Sequence, residues 1–546
     1  MNQNLRKTAV WLPLVVAVAL IAGLWLGKYL FSDRYDSASR AKLDAILGLV
    51  DDNYVDSVDI DSLLEVSIPD LLSHLDPHST YIPAEDLQQV NDDLGGSFSG
   101  VGIQFNMMGD TINVLEVIPG GPSEKVGIMA GDRIIAIDDS IAAGRNWPQS
   151  RVLKSLRGER GSVVKVDVIR PGVKGSLTFE ITRGDIPVNT VDAAYMITDS
   201  AGYIHINKFG ANTFAEFITA AINLRAAGAQ AFVIDLRGNG GGYMEPAVLI
   251  ANEFLGPGEP IVAMRGRKDA NNAATVADGT GALRGCEVVV LIDELTASAS
   301  EILSGAIQDN DRGLVIGRRS FGKGLVQHQH ELPDSSAIRL TVARYYTPSG
   351  RCIQKTYAPG VDYDNELNER YSHGEFYSAD SIKLDRSLIF TTLHGREVYG
   401  GGGIMPDIFV PNDTSGITSW YLDVINRGLF HKFTFTYTDT NRAHLSQAST
   451  AADLLDMLPS DGALLSEFVQ YTMREGVPVR MGYINQSRDL IVDNLKALIT
   501  RNILGTEAYY EVFNDTDPTV AEALDALSRG EAAFPLTPGQ DDESTE

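Results

Sequence analysis

Apolar positions follow different periods in different parts of the chain, and the changes of period mark regions. Before residue 90 they recur at helical spacing, as at Leu43, Ile46 and Val50. Residues 95–185 carry short strand-like runs broken by glycine. Apolar strands then alternate with helices to about residue 410, which is typical of an α/β core, and helical spacing returns from about residue 415.

These changes predict six regions and a set of strands. The regions are a cytoplasmic stub with a transmembrane anchor (1–35), an N-terminal helical region (36–94), a mainly-β module (95–185), an α/β core (186–411), a C-terminal helical extension (412–529) and a disordered acidic tail (530–546). The predicted strands are Val101–Asn106, Thr111–Val117, Arg133–Ile137, Val163–Arg170, Ala231–Leu236 and Val288–Ile292.

The segment Thr8–Gly27 contains no charged side chain. At about 1.5 Å per residue, a helix of this length spans the roughly 30 Å hydrocarbon layer. Arg6 and Lys7 precede it, and Trp11 and Trp25 lie at interfacial positions. The alternative is a cleaved signal peptide, but the apolar run is long for one and no A-x-A site follows it. We therefore expect a single-pass inner-membrane protein with the body of the chain on the periplasmic side.

Composition excludes several classes of function. The 45 basic and 72 acidic residues give 45 − 72 = −27, and such an acidic body disfavours nucleic-acid binding. Only Cys286 and Cys352 are present, which excludes a disulfide scaffold and a cysteine-ligated zinc site. One bridge between them stays open in an oxidising compartment. Cys286 precedes an apolar strand and is interpreted as a small core residue.

Glycines give the mainly-β module its candidate chemistry. Gly100, Val101, Gly102 and Ile103 open a strand and expose successive backbone N–H groups, which can capture a terminal carboxylate while the strand edge adds a peptide strand. With the turn Pro119–Gly127, the segment Met129–Ile137 that ends in a strand, and the helix Trp147–Leu156 that would wall the groove, this order resembles a PDZ domain. The alternative is that the glycines only form turns of a small barrel.

A glycine cluster follows the strand Ala231–Leu236. Backbone N–H groups at such a strand–helix turn can donate to an anion, either a phosphate or an oxyanion. A dinucleotide fingerprint is disfavoured, because Gly238-x-Gly240-x-x-Tyr243 lacks the third glycine.

Two further motifs provide a nucleophile and a base. Ser298 lies in Thr296–Ile302 at a strand-to-helix turn, and the chain has no G-x-S-x-G elbow. Lys323 lies between two glycines at the edge of an apolar strand, where burial favours the neutral amine that can take the serine's proton. Gln327, four residues on, would share its face and orient that amine. Alone, Ser298 would be a helix cap and Lys323 a solvated lysine.

The whole set of motifs resembles the C-terminal processing (tail-specific) peptidases. Nucleophile and lysine are separated as in that family, 323 − 298 = 25, and the resemblance covers most of residues 36–411. The motifs that carry it are LDPHSTYI, the PDZ-like module, DLRGNGGG, TASASEI, RSFGKGLVQ, LTVARYYTPSGRCIQ and GGGGIMPD.

The resemblance implies roles for particular residues. Ser298 becomes the nucleophile, Lys323 the general base and Gln327 its orienting partner, with the backbone N–H groups of Ala299 and Gly241 as oxyanion donors. It also implies a crotonase/Clp-like α/β protease core beside an inserted PDZ domain, and no cofactor. Thr296 stands where a serine is common in the family, and the extension after residue 415 lies outside the usual core.

We therefore expect a membrane-anchored serine endopeptidase that recognises C-terminal tails of protein or peptide substrates and processes or degrades envelope proteins. An adaptor protein and a homodimer stay open as partners. The alternative is a catalytically inactive PDZ scaffold that binds protein C-termini, but both Ser298 and Lys323 are present. His328 and His330 share one strand face, yet lack a third ligand at recognisable spacing, so no metal site is predicted.

Overall fold

The computed structural model describes residues 38–108, 110–358 and 361–532, together with Ala17. The chain divides into two compact units, one up to Pro83 and one from Ala84 onwards. Apart from Ala17, the predicted anchor Thr8–Gly27 lies outside the described residues. Among the helices of the described part, none combines the length and the apolar character needed to cross a bilayer.

The first unit contains the helices α1 (Ala38–Asn53) and α2 (Ile60–Ser73) and the strand β1 (Thr80–Ile82). Asp59 caps α2, because its carboxylate accepts hydrogen bonds from the Asp61 N–H and the Ser62 hydroxyl. The predicted helices of this region are therefore confirmed.

The second unit begins with α3 and continues into the mainly-β module, in which two helices lie among short strands. In chain order, α3 and the elements of the module are α3 (Ala84–Gly95), β2 (Ser97–Gly100), β3 (Ile103–Met108), β4 (Thr111–Val117), α4 (Pro122–Val126), β5 (Arg133–Ile137), β6 (Ser140–Ile141), α5 (Gln149–Leu156), β7 (Val163–Ile169), β8 (Ser176–Thr182) and β9 (Gly184–Pro187).

The module is an antiparallel sheet with strand order β3-β4-β5-β7-β8, and β6 pairs with β5. Alternation of side chains between the two faces buries Val164, Val166 and Val168 of β7 against Val152 and Leu156 of α5. Strands β2 and β9 pair with each other where the chain enters and leaves the module. The predicted bounds of β4 and β5 are confirmed, whereas β3 begins two residues later than predicted.

The α/β core alternates strands and helices as the sequence predicts. Its elements are β10 (Val191–Met196), β11 (Ala201–Ile206), α6 (Thr213–Ala227), β12 (Ala231–Asp235), α7 (Met244–Phe254), β13 (Pro260–Gly266), β14 (Ala273–Val276), β15 (Glu287–Ile292), α8 (Ala299–Asp309), β16 (Leu314–Gly317), β17 (Leu325–Glu331), β18 (Ala337–Tyr346), α9 (Glu366–Ser372), β19 (Ile389–Thr391), β20 (Glu397–Tyr399) and β21 (Ile408–Phe409). Short 3-10 helices lie at Asp269–Asn271, Ala379–Ser381 and Arg386–Leu388.

The main sheet of the core has the order β10-β11-β12-β15-β16-β21. Strands β11, β12, β15 and β16 run parallel, and their side chains are almost all buried, as expected for a parallel sheet covered on both faces. Helices α6, α7 and α8 cover one face through Phe217, Ile250 and Leu303. Elsewhere in the core, β13 pairs with β14 and β18, and β17 pairs with β18.

Both cysteines have free thiols, so the bridge that the sequence left open is not formed. Cys286 is a buried core residue, as predicted, and Arg225 donates to its sulfur at 2.7 Å. Burial raises the pKa of this thiol.

The C-terminal extension is helical throughout its described length. Its helices are α10 (Ser419–Asn426), α11 (Leu429–Leu445), α12 (Ala451–Met457), α13 (Asp461–Arg474), α14 (Met481–Gln486), α15 (Arg488–Leu504), α16 (Thr506–Asn514) and α17 (Pro518–Ser528). Trp420, Phe430, Phe433, Phe468 and Leu495 lie at the centre of their packing.

Helix α17 leaves this bundle and covers the second face of the main sheet. Val520 and Ala523 of α17 share a buried cluster with Val233 and Val289 of the sheet. Ala532, which lies within the predicted tail 530–546, is fully buried in the same cluster.

His205 of β11 links the main sheet to the C-terminal extension. Its Nδ1 lies 2.5 Å from Asp192 Oδ1, and its Nε2 lies 3.2 Å from the hydroxyl of Tyr510, whose ring stacks on the imidazole of His205. Burial alone would lower the pKa of His205, but the hydrogen bond to Asp192 and the charges of Asp235 and Asp192 raise it above the ordinary value.

His205 should make the stability of the protein depend on pH. Because its pKa is raised in the folded state, its contribution is fully present below the unfolded pKa of about 6.5 and is lost as the pH rises through the folded pKa. We expect the unfolding midpoint in urea to fall over this window, and His205→Gln to remove that part of the slope. An unchanged slope in the variant would contradict the assignment.

Candidate functional site

The three sequence motifs meet at one edge of the main sheet. The glycine-rich turn follows β12, the turn with Ser298 follows β15, and the loop with Lys323 follows β16. These strands are parallel neighbours, so their carboxyl ends lie side by side. This edge is the common position for ligand sites in open α/β sheets. A cavity of about 490 Å³ lies here, and its lining includes Ser298, Lys323 and Gln327, the three predicted catalytic side chains.

Ser298 has an unusual backbone conformation at the N-cap of α8. Its φ of 58° and ψ of −114° lie in a region that residues with a Cβ rarely adopt. Such strain persists only where the surrounding structure enforces it, and it is concentrated at functional sites. The sequence predicts this helix over Ile302–Asn310. Helix α8 begins three residues earlier, at Ala299, so the predicted nucleophile stands at the head of the helix.

Glu301 is the group that connects the Ser298 turn to the Lys323 loop. Its Oε2 accepts from the N–H groups of Ser298 at 2.8 Å and Lys323 at 2.9 Å. Its Oε1 accepts from the Ser320 hydroxyl at 2.5 Å and the Gly322 N–H at 2.8 Å. The carboxyl is fully buried, and burial raises its pKa while these donors lower it in part. Two segments that form the site are thus fixed to one side chain.

Asn239 performs the equivalent task for the glycine-rich turn. Its side-chain amide donates to the Ile206 carbonyl at 2.7 Å, and its backbone carbonyl accepts from the Ala297 N–H and the Ser300 hydroxyl, both at 3.0 Å. Because Asn239 is fully buried, these bonds hold the turn after β12 against the turn after β15.

Gly241 lies directly against the predicted nucleophile. A Cβ at this position would come within 2.7 Å of the Ser298 Cβ and 3.0 Å of the Ala299 nitrogen, and its φ of +98° also requires glycine. However, its N–H donates to Asn239 Oδ1 at 2.8 Å, so the predicted oxyanion donor is already engaged. Among the described residues, nothing accepts a hydrogen bond from the Ala299 N–H, the other predicted donor.

Lys323 and Gln327 reach the cavity by a different geometry from the one predicted. Lys323 precedes β17, which begins at Leu325, and the register shifts between Val326 and Gln327. The argument that residues i and i+4 of one regular strand share a face therefore does not apply. Both side chains are half-buried and line the cavity with Ser298.

Tyr345, a lining residue of the cavity, forms a second connection between the Ser298 turn and the Lys323 loop. Its buried hydroxyl lies 3.1 Å from the Ser298 carbonyl and 2.8 Å from the Lys323 carbonyl. Burial holds the pKa of Tyr345 well above its ordinary range, so the phenol remains a hydrogen-bond donor.

The Lys323 loop is also held from outside by the segment around α9. Arg370 donates to the carbonyls of Arg319 at 2.6 Å and Ser320 at 3.0 Å, while its Nε pairs with Glu375 at 2.8 Å. Glu375 also pairs with the Arg319 side chain at 2.6 Å. Sequence reasoning missed these bonds, because Arg319 and Arg370 are 51 positions apart and nothing local marks them as neighbours.

Sequence reasoning also missed Glu301, Asn239 and Tyr345, although all three lie in motifs it singled out. A signal existed for Glu301, because Ser298-x-x-Glu301 before an apolar helix has the spacing of a capping box. No comparable local signal marks Asn239 or Tyr345, most of whose partners lie in other turns and loops far along the sequence. Thr296, where a serine was expected, keeps a hydroxyl that donates to the Leu236 carbonyl at 2.9 Å.

The predicted peptide-binding turn of the mainly-β module is anchored through its carbonyls. Val101 O accepts from the Ser123 N–H at 3.0 Å and the Ser123 hydroxyl at 2.7 Å, and Gly102 O accepts from the Ile118 N–H at 3.0 Å. Gly102 has a φ of +78°, and Gly100 ends β2. Ile103 begins β3. The turn is thus fixed at the start of that strand.

His328 and His330 are exposed on β17, with ring centroids 6.4 Å apart. Within residues 38–108, 110–358 and 361–532, no three His, Cys, Asp or Glu side chains are grouped as a metal site would require.

Replacing the Glu301 carboxylate should destabilise the protein. In Glu301→Gln one acceptor oxygen becomes an NH2 group, which leaves either Ser298 and Lys323 or Ser320 and Gly322 without their acceptor. We expect the free energy of unfolding, measured in urea, to fall by about 1 to 3 kcal/mol. Glu369→Gln on the exposed side of α9 is the matched control and should leave it unchanged. A variant as stable as the control would show that these bonds contribute little.

Family models match three parts of the chain. Residues 200–367 match Peptidase family S41, residues 99–181 match the PDZ domain, and residues 420–505 match a family of unknown function, DUF8443.

The chain is similar to proteins named as carboxy-terminal processing proteases. It is 35% identical over 337 residues to the carboxy-terminal-processing protease of Bartonella bacilliformis, covering 61% of this chain and 76% of the relative. It is 35% identical over 351 residues to carboxy-terminal processing protease CtpB of Bacillus subtilis, covering 64% and 71%. A solved photosystem II D1 C-terminal processing protease is 27% identical, covering 70% and 95%, with a TM-score of 0.34. The chain therefore belongs to the carboxy-terminal processing proteases of peptidase family S41, serine peptidases, and it carries a PDZ domain.

Proposed function

We propose that this protein is a membrane-anchored endopeptidase in which Ser298 and Lys323 form the catalytic dyad. The observation that carries the proposal is the convergence of Ser298, Lys323 and Gln327 on one cavity, with Ser298 held in a strained conformation at the head of α8. Glu301 fixes the backbone of both dyad residues, which supports a preformed arrangement of nucleophile and base.

In the proposed mechanism, the Ser298 hydroxyl attacks the scissile carbonyl while the neutral amine of Lys323 accepts its proton. Gln327 orients that amine. The N–H of Ala299, at the positive end of α8, stabilises the oxyanion. Lys323 then protonates the leaving amine, and a water molecule hydrolyses the acyl-enzyme. Gly241 becomes a second oxyanion donor only if its N–H turns from Asn239 Oδ1 to the substrate oxygen.

The membrane part of the proposal rests on the sequence. The uncharged run Thr8–Gly27 and its flanking Arg6 and Lys7 support an uncleaved anchor, with the body in the periplasm and envelope proteins as substrates.

The PDZ domain supports recognition of substrate C-termini. In this mode the terminal carboxylate binds the backbone N–H groups at Gly100–Ile103, and the peptide extends the sheet along β3. The anchored carbonyls of Val101 and Gly102 keep this turn in place when no peptide is bound.

The dyad is tested by two substitutions. Ser298→Ala should abolish hydrolysis of an unfolded protein substrate and leave the thermal unfolding midpoint near that of the wild type. Lys323→Arg should be as inactive as Lys323→Ala, because a guanidinium stays protonated and cannot act as a base. For the same reason, wild-type activity should rise with pH as the amine loses its proton. Normal turnover by Lys323→Arg would exclude the dyad and favour a histidine base.

Tail recognition is tested by amidating the substrate. A C-terminal amide removes the charge that the Gly100–Ile103 turn would bind but leaves the scissile bond unchanged. We expect cleavage of long tail-dependent substrates, followed by mass spectrometry, to fall several-fold, whereas a loosely folded protein that enters the site directly should be affected less. Equal rates for free-acid and amidated tails would show that the PDZ domain does not bind the terminal carboxylate.

A further inference from the structure

The cavity at the candidate site differs in charge from the rest of the protein. The chain carries 72 acidic and 45 basic residues, yet the described residues that line the cavity include no carboxylate. The permanent positive charge among them is that of Arg339, because the amine of Lys323 is neutral in the proposed mechanism. A cleft lined by one sign of charge raises the local concentration of ligands of the opposite sign. An acidic protein with a basic cleft is therefore suited to a substrate that carries a carboxylate there.

Arg339 is the side chain that gives this charge a fixed position. It lies on β18 directly opposite Gln329 of β17, and its guanidinium donates to Gln329 Oε1 at 3.2 Å. Gln329 in turn donates to Asn91 of α3 at 2.9 Å, which fixes the amide on its other side. Among the described residues, Arg339 forms no ion pair with a carboxylate.

The guanidinium therefore keeps donors available for a ligand. A guanidinium carries five N–H donors in a planar fork that matches a carboxylate. Within the described part of the chain, the bond to Gln329 uses one of them and no other bond of the guanidinium is present. Arg319 and Arg351, by comparison, are paired with the carboxylates of Glu375 and Asp309.

The place of Arg339 along the cleft sets the distance to the reacting bond. Gln329 lies two residues beyond Gln327 on β17, which is roughly 7 Å at the rise of a strand. Arg339 and Ser298 line the same cavity of about 490 Å³. A substrate in extended conformation therefore presents to Arg339 a residue within about four positions of the scissile bond.

We propose that Arg339 determines specificity by binding a carboxylate of the substrate chain within about four residues of the scissile bond. The proposal rests on the proposed peptidase function of the same cavity. The carboxylate can come from an Asp or Glu side chain or from the end of the substrate chain, and both present the same planar pair of oxygens to the guanidinium.

The test uses two matched sets of fluorogenic peptides with the full chain. The first set places a single Glu, or its neutral isostere Gln, at each of the four positions on either side of the cleaved bond. The second set ends the peptide at each position on the leaving side with a free acid or an amide. We expect wild-type kcat/KM to favour the charged member about tenfold at one position, and high salt to reduce the preference.

Variants assign this preference to Arg339. Arg339→Gln should lose it, Arg339→Lys should keep part of it, and Arg339→Glu should favour the neutral member at the same position. Arg344→Gln, on the same strand but exposed and bonded to Tyr357, is the matched control and should keep the wild-type ratio. Thermal unfolding midpoints separate a loss of selectivity from a loss of fold, and Arg339→Lys remains informative if the other variants unfold.

The outcomes distinguish the inference from the function on which it rests. A preference in the first set only assigns an acidic side chain, and one in the second set only assigns the chain terminus. Cleavage with equal rates for charged and neutral members, or a preference that persists in Arg339→Gln, would overturn the role of Arg339 while the peptidase stands. Cleavage that is equal in the wild type and in Ser298→Ala would overturn the proposed function, and this inference with it.

Discussion

The buried carboxylate of Glu301 is the interaction on which the candidate site depends. A carboxylate taken out of water is costly, and this one is compensated by four hydrogen-bond donors instead of by a basic side chain. Three of the donors are backbone N–H groups, from Ser298, Gly322 and Lys323. If either turn moved, a buried acceptor would lose its donors. The position of each turn is therefore coupled to the other through one side chain.

Two ion pairs hold the start of the glycine-rich turn, and one of them comes from the C-terminal extension. Arg237, at the start of that turn, bonds to Asp235 at the end of β12 and to Asp517, the N-cap of α17, at 2.7 Å. Burial would lower the pKa of Arg237, but these two carboxylates hold it well above its ordinary range. Helix α17 thus covers the sheet and also fixes the residue beside the turn that approaches Ser298.

Much of the fold and of the candidate site could be predicted because the signals in the sequence are local. The strands Thr111–Val117 and Arg133–Ile137 have the predicted bounds, since each follows its own period of apolar residues. The meeting of Ser298 with Lys323 followed from two short motifs and a family resemblance.

The rest depends on contacts between residues far apart in the sequence. The bond between Gly241 and Asn239 Oδ1, the bulge before Gln327 and the burial of Ala532 are set by packing that no local pattern encodes. A positive φ at Ser298 is likewise invisible in the sequence, because serine is uncommon in that region and nothing local requires it there.

The positions of the carboxylates relative to Lys323 matter for the proposed proton transfer. A carboxylate in contact with an amine favours the protonated form, which cannot act as a base. Acidic residues near the site are instead engaged in structural bonds, as Glu375 is with Arg319 and Arg370. Glu301 meets Lys323 through the backbone N–H, not as a lining residue of the cavity. The described residues that line the cavity include no carboxylate, and the acids that hold the loop form their bonds outside that lining.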